Sequence, residues 1–163
     1  MGIGSLALAA LYQQVLDRDL SRIDLDAVVR GWPTRAQLEQ IVRQPHTNPI
    51  IAENAVPQSM AKYLDADHLR QRLITLRERW PMLQQRLIGQ LMPAAELRDL
   101  LLTAGCPTTP EEIGLDRARL KASYAQARQI RSRYTIFDLA AEAGCLPECV
   151  ENLFAPGGFW FEA

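Results

Sequence analysis

Apolar residues recur at intervals of three and four along most of the chain, the spacing that places them on one face of a helix. No stretch of useful length alternates apolar and polar residues as a half-buried strand does. The pattern therefore predicts an all-α protein in which residues 1–163 form a single helical domain. The predicted helices are 3–16, 21–30, 35–43, a segment from Asp65 or Asp67 to Leu91 in which Pro81 kinks the helix or starts the next one, 93–104, 116–130, 135–143 and 147–154.

Helix start and stop signals are densest between residues 106 and 144. Thr109, followed three residues later by a glutamate, predicts a capped turn. Asp116 caps a longer helix that has basic residues on one side and an apolar stripe ending at Ile130 on the other. Thr135 opens the next helix, and Gly144 is placed to close it with a left-handed residue. Residues 116–135 therefore form a basic helix followed by a corner.

Two segments depart from the helical pattern. Residues 44–57 contain Pro45, Pro49 and Pro57 with only short apolar pieces between them, which predicts an irregular loop. The tail at 159–161 carries three aromatic residues after a Pro-Gly-Gly turn, and we expect it to be exposed or to dock on another surface.

Composition narrows the class of protein. Eighteen basic and nineteen acidic residues give a net charge of −1, which argues against nonspecific nucleic-acid binding, because that requires a surplus of Lys and Arg. The apolar segment 3–11 has no basic region before it and continues as an amphipathic helix, so we expect neither a signal peptide nor membrane insertion. The three cysteines are an odd set in a chain without a secretory signal, which predicts reduced thiols and a cytoplasmic location.

The basic corner is the candidate ligand site. Arg128, Arg131 and Arg133 lie beside Tyr134 where one predicted helix ends and the next begins. Guanidinium groups suit pairs of phosphate oxygens, and helix ends supply backbone amides. The alternative is a solvated face, or arginines paired with carboxylates such as those of Asp138 and Glu142.

Other site chemistries have weaker signals. His46 and His68 do not form a metal-ligand pair with a second ligand, and we expect both to be exposed or structurally bonded. Cys145 and Cys149 lack a second cysteine pair and are expected to be buried thiols. No glycine-rich loop lies between a strand and a helix, so the sequence contains no dinucleotide-binding motif.

Two stretches carry a resemblance to a known family. The run Gly-Cys-Pro-Thr-Thr-Pro-Glu-Glu-Ile-Gly-Leu-Asp (residues 105–116), followed by Ile-Arg-Ser-Arg-Tyr-Thr-Ile-Phe-Asp-Leu (130–139), resembles the end of the sn-glycerol-1-phosphate dehydrogenases. These enzymes belong to the wider group of dehydroquinate synthase-like and metal-dependent alcohol dehydrogenases. The opening Met-Gly-Ile-Gly-Ser-Leu (1–6) resembles the helix that, in this family, directly follows a metal-binding His-Gly pair.

The resemblance implies the multi-helix C-terminal domain of a dehydroquinate synthase-like fold, without the N-terminal nucleotide-binding α/β domain. The complete family enzyme interconverts dihydroxyacetone phosphate and sn-glycerol 1-phosphate with NAD(P) and a divalent metal, zinc or nickel. Because the family's nucleotide-binding half and its metal ligands precede the part that corresponds to this sequence, we expect the chain alone to bind neither cofactor and to be inactive. Its expected partners are then the small phosphorylated substrate and the missing nucleotide-binding domain or a second subunit.

Two other hypotheses remain. The chain could be a stand-alone helical module that docks on a separately encoded nucleotide-binding domain, using apolar surface on 3–16 and on the aromatic tail. It could also be an all-α regulatory domain unrelated to dehydrogenases, in which case the resemblance is accidental.

Overall fold

The structure, a computed structural model, describes residues 2–161; Met1, part of the opening stretch, lies outside them. The described part is all-α and contains no strand, as predicted. Within it, no helix is both long enough and apolar enough to cross a membrane. The helices are α1 (Gly2–Leu16), α2 (Leu25–Gly31), α3 (Arg35–Arg43), α4 (Pro49–Met60), α5 (Ala66–Ile88), α6 (Ala94–Thr103), α7 (Arg117–Ala127), α8 (Ile136–Glu142) and α9 (Leu146–Phe154), with short 3-10 turns at Leu20–Arg22 and Glu111–Ile113.

Helix α1 is the centre of the main core and contacts α5, α6, α8 and α9. Its side chains Leu6, Leu11 and Val15 are fully buried, and each such burial contributes about 1.5–3 kcal/mol relative to exposure. The helix predicted over 3–16 is thus present, and most of its residues are buried or partly buried. The surrounding helices are packed around α1.

Most helix starts lie where the sequence predicts them. The side chains of Asp24, Thr34, Asp65 and Asp116 each accept a hydrogen bond from a backbone amide in the first turn that follows. At Thr135 the first turn is closed by a reciprocal capping box with the aspartate three residues later. The helix predicted over 21–30 begins later than expected, at Leu25, because its N-cap is Asp24 and not Ser21.

The prediction of an irregular loop over 44–57 is wrong for most of its length. Helix α4 begins at Pro49, where the missing amide hydrogen costs nothing in the first turn, and the Asn48 side chain accepts from Ile50 N at 2.9 Å. Pro57 removes one internal hydrogen bond, yet Ala52 and Ala55 are buried at helical spacing. Packing against α3 therefore outweighs the local effect of proline, and only 44–48 is irregular.

The structure corrects two further predictions, which concern Pro81 and the end of α7. Pro81 starts no new helix, because α5 runs through it without interruption. Helix α7 ends at Ala127 instead of continuing its apolar stripe to Ile130, whose side chain is 56% exposed.

The aromatic tail docks on this chain. Trp160 is fully buried in the main core, and its Nε1 donates to the Tyr124 hydroxyl at 2.8 Å, which in turn donates to the Ala7 carbonyl at 3.1 Å. Arg98 donates to the Phe159 carbonyl at 2.8 Å. Only Phe161 of the tail is exposed.

Candidate functional site

The basic corner lies between the end of α7 and the start of α8, and it contains two kinds of residue. Arg128 and Tyr134 are tied into the protein by ionic and hydrogen-bonding contacts, whereas Arg131 and Arg133 are exposed. The structure thus brings the four predicted site residues to one corner and separates their roles.

A buried ion pair supports the Arg128 side of the corner. The Asp138 side chain is almost completely buried, and its Oδ1 lies 2.8 Å from Lys62 Nζ and 3.7 Å from Arg128 Nε. Its Oδ2 accepts from the backbone amide and the hydroxyl of Thr135 at 2.9 and 3.0 Å, which fixes the first turn of α8. Lys62 also donates to the Arg128 carbonyl at 2.6 Å. One buried carboxylate therefore connects α8, the end of α7 and Lys62, which lies two residues after α4.

A second buried carboxylate holds Tyr134. The Tyr134 hydroxyl donates to Glu142 Oε2 at 2.8 Å, and Arg72 pairs with Glu142 Oε1 at 2.8 Å. The Arg72 guanidinium also lies 5.2 Å from the centre of the Tyr134 ring. Burial raises the pKa of Glu142 above its ordinary value, although Tyr134 and Arg72 oppose the shift. Burial, followed by the Glu142 charge, also raises the pKa of Tyr134, so its hydroxyl is a hydrogen-bond donor at neutral pH.

Arg131 and Arg133 are the chemically available residues of the corner. Neither makes a hydrogen bond or an ion pair with another residue in the 2–161 range that the structure describes. Two guanidinium groups two residues apart can together donate several hydrogen bonds to one phosphate group. Arg131 and Arg133 thus remain the candidate anion ligands of the corner.

Sequence reasoning missed the residues that brace this corner from a distance. Lys62 follows α4 and Arg72 lies in α5, more than fifty residues before the corner. Gln129, which is buried, bonds His46 Nε2 through its side-chain oxygen at 2.7 Å. No local signal marks these pairings, because they depend on how α3, α4 and α5 pack.

The described residues do not fit the metal and nucleotide that the resemblance implies. Both histidines have structural partners, since His68 Nδ1 lies 2.7 Å from Asp65 Oδ1 and His46 contacts the corner. Across residues 2–161, no group of three or more His, Cys, Asp or Glu side chains could hold a metal ion. The same residues form no strand-to-helix loop that could hold a dinucleotide phosphate.

The three cysteines are free thiols, and two of them are buried side by side near the start of α9. A hydrogen bond from Cys145, and after it the nearby Arg18 charge, lowers the pKa of Cys149 to about 7. The same hydrogen bond, together with burial, raises the pKa of Cys145. Cys149 is fully inaccessible to solvent, so the shifted pKa does not make it a reactive surface thiol.

No protein-family model matches the chain. No curated protein and no solved structure matches it either. A function can therefore be inferred only from the corner and from the run 130–139, which contains Arg131, Arg133 and Tyr134.

Proposed function

We propose that this chain is the helical domain of an NAD(P)-dependent sn-glycerol-1-phosphate dehydrogenase and that its basic corner contacts the phosphate of dihydroxyacetone phosphate. The observation that carries the proposal is the pair of exposed guanidinium groups of Arg131 and Arg133, which have no partner among the described residues, on a corner held by two buried carboxylates. The family-like run 130–139 is the segment that forms this corner, which supports the same assignment.

In this proposal the chain orients the substrate. A divalent ion, zinc or nickel, and the NAD(P) cofactor would be bound by residues other than those described, in a nucleotide-binding domain or a second subunit. Arg131 and Arg133 would hold the phosphate end of a three-carbon substrate, which limits the positions that its carbonyl end can take. Arg128 and Tyr134 keep the corner in shape through their bonds to Asp138 and Glu142.

The first test is direct binding. The purified 163-residue chain is titrated with sn-glycerol 1-phosphate and with glycerol while backbone amide resonances are recorded. We expect saturable shifts at 128–136 with the phosphate only, and their loss in the Arg131→Ala/Arg133→Ala variant. Arg86→Ala is the matched control, because this exposed residue lies roughly 21 Å along α5 from Arg72 at 1.5 Å per residue.

The second test is catalysis. The chain is combined with the nucleotide-binding domain of an established sn-glycerol-1-phosphate dehydrogenase, and NADH or NADPH oxidation is followed with dihydroxyacetone phosphate. We expect activity, and a KM for the substrate that rises about tenfold or more in the double arginine variant, because charge-assisted hydrogen bonds are lost. A folded complex that binds nucleotide and metal but shows no turnover would contradict the proposal.

A second candidate function is a module that docks on a separately encoded nucleotide-binding domain. The surfaces first expected to dock are mostly inside the chain, since Leu6 and Trp160 are fully buried. An apolar groove of about 260 Å³ between α1 and the junction of α5 and α6 favours this candidate, because Ile88 and Met92 at its edge are 60% and 43% exposed. The test is light scattering of the chain mixed with that domain, where Ile88→Glu/Met92→Glu should abolish a stable complex.

A further inference from the structure

The α3–α4 hairpin, residues 34–63, has its own small core. Leu38 and Val42 of α3 pack with Ala55 of α4, and all three are buried. Among the described residues, the main core takes no side chain from 34–63. Among the described residues, the apolar cluster of the hairpin is therefore separate from the main core.

Several polar contacts tie the hairpin to the body. Lys62 forms the buried ion pair with Asp138, His46 bonds Gln129, and Gln126 Nε2 donates to the Pro45 carbonyl at 3.0 Å. All of these contacts end at the corner region, between the last turn of α7 and the first turn of α8. If the hairpin separates from the body, water can take over these hydrogen bonds. The main core, which contains no residue of the hairpin, would stay intact.

The two ends of the hairpin meet at one place. Trp32 Nε1 donates to the Leu64 carbonyl at 2.8 Å, which ties the chain that enters the hairpin to the chain that leaves it. Pro33 restricts the residue before it, Trp32, to an extended backbone conformation. Trp32 and Leu64 therefore mark the place where the hairpin joins the body, between the end of α2 and the start of α5.

We propose that the α3–α4 hairpin is a hinged lid over the basic corner. It rotates as a unit about the Trp32–Leu64 hydrogen bond, and Lys62 and His46 are the latch residues that hold it closed. When the lid lifts, Arg128 loses the Lys62 contact to its carbonyl, and the Asp138 carboxylate becomes accessible. The role of the lid in substrate access rests on the proposed function, whereas the opening itself does not.

Hydrogen exchange of the full chain, read by mass spectrometry, tests whether the lid opens as a unit. We expect amides in α3 and α4 to exchange by a shared opening that is faster than exchange in α1, α5 and α9. Lys62→Met should speed exchange throughout the hairpin by roughly tenfold to hundredfold, because it leaves a buried carboxylate without its closest partner. His46→Ala should act in the same direction and more weakly.

A matched substitution in the body provides the control. Lys121 forms an exposed ion pair with Glu151, so Lys121→Met should leave exchange in the hairpin unchanged. Equal exchange rates in the hairpin and the main core, or acceleration by Lys62→Met in every helix alike, would overturn the lid.

Arginine modification by phenylglyoxal tests what the lid covers. Arg128 is partly buried, whereas Arg131 and Arg133 are already exposed. We expect Lys62→Met to increase the modification rate of Arg128 severalfold and to leave the other two unchanged. An unchanged rate at Arg128 would show that the hairpin does not cover the corner. Neither readout uses dehydrogenase activity, so a failed reconstitution would remove the proposed function and leave the lid standing.

Discussion

Gly158 lies where the tail turns back toward the core. A Cβ built on it would lie 2.1 Å from the Asn152 carbonyl oxygen and 2.7 Å from the backbone of Leu153, and neither can move without distorting α9. The absence of a side chain at this position therefore lets Trp160 reach its site.

We expect Gly158→Ala to lower the free energy of unfolding by about 2 kcal/mol or more, since overpacking of this kind costs about 1–3 kcal/mol. Urea unfolding followed by circular dichroism measures the change. Gly4→Ala is the control, because a Cβ there meets nothing within 4 Å and replacement of glycine inside a helix should stabilise by roughly 0.5–1 kcal/mol. Equal stability of Gly158→Ala and the wild type would contradict the packing at the turn.

Glu142 makes the free energy of unfolding depend on pH. Burial raises its native pKa above the ordinary value of 4.5, so the folded state holds the proton more tightly than the unfolded state does. Its contribution to stability is fully present below pH 4.5 and is lost as pH rises through the native pKa. Glu142→Gln cannot ionise, so we expect the stability of the variant relative to wild type to rise with pH over this window.

Glu112 provides a control of opposite sign. Backbone amides of Thr108 and Thr109, with the Thr109 hydroxyl, lower the pKa of Glu112, so its contribution is present above the unfolded value and lost as pH falls. Glu112→Gln should therefore lose stability relative to wild type as pH rises. Urea unfolding midpoints of the wild type, Glu142→Gln and Glu112→Gln are measured across the acidic pH range. If the stabilities of the two variants relative to wild type change with pH in the same direction, the pKa of Glu142 is not raised in the folded state.

The helices show which helix starts can be predicted from neighbouring residues alone. A capping side chain acts on amides two or three residues away, so the starts at Thr34, Asp65 and Asp116 could be predicted from the sequence. Helix α4 could not, because its two prolines are unfavourable locally and the buried face that stabilises it depends on α3. The candidate site divides in the same way: the arginines of the corner are adjacent in sequence, whereas Lys62 and Arg72 come to it only through the fold.

The start of α4 depends on one side chain. Asn48→Ala removes the acceptor for Ile50 N, and we expect a loss of about 1 kcal/mol in the stability of the hairpin. Hydrogen exchange in α4 is the measurement, with faster exchange expected. Asn54→Ala makes the same replacement on the exposed side of α4, where alanine is the better helix former, and should not accelerate exchange. Equal effects of the two variants would show that the cap does not stabilise the helix.

At the scale of the whole molecule, the last described residues close the main core. Trp160 belongs to the main core cluster and donates to the Tyr124 hydroxyl of α7, and Arg117 donates to the carbonyls of Trp160 and Phe161. The tail is therefore part of the core and not an appendage.

Trp160→Ala should cost about 3–5 kcal/mol, the usual loss when a large buried aromatic side chain is removed. Phe161→Ala should change stability by less than about 0.5 kcal/mol, because that side chain is 51% exposed. Urea unfolding of both variants separates the two positions. A small effect at Trp160 would mean that the core forms without the tail.

The bond from Trp160 through Tyr124 to Ala7 joins the two ends of the described chain. A ribosome adds roughly 150 residues between Ala7 and Trp160, which takes about 8–30 s at 5–20 residues per second. During that time the most apolar helix of the protein has been made, but the residue that completes its surroundings has not. The surroundings of α1 are thus complete only after Trp160 has been made, and until then its apolar face lacks one of its buried neighbours.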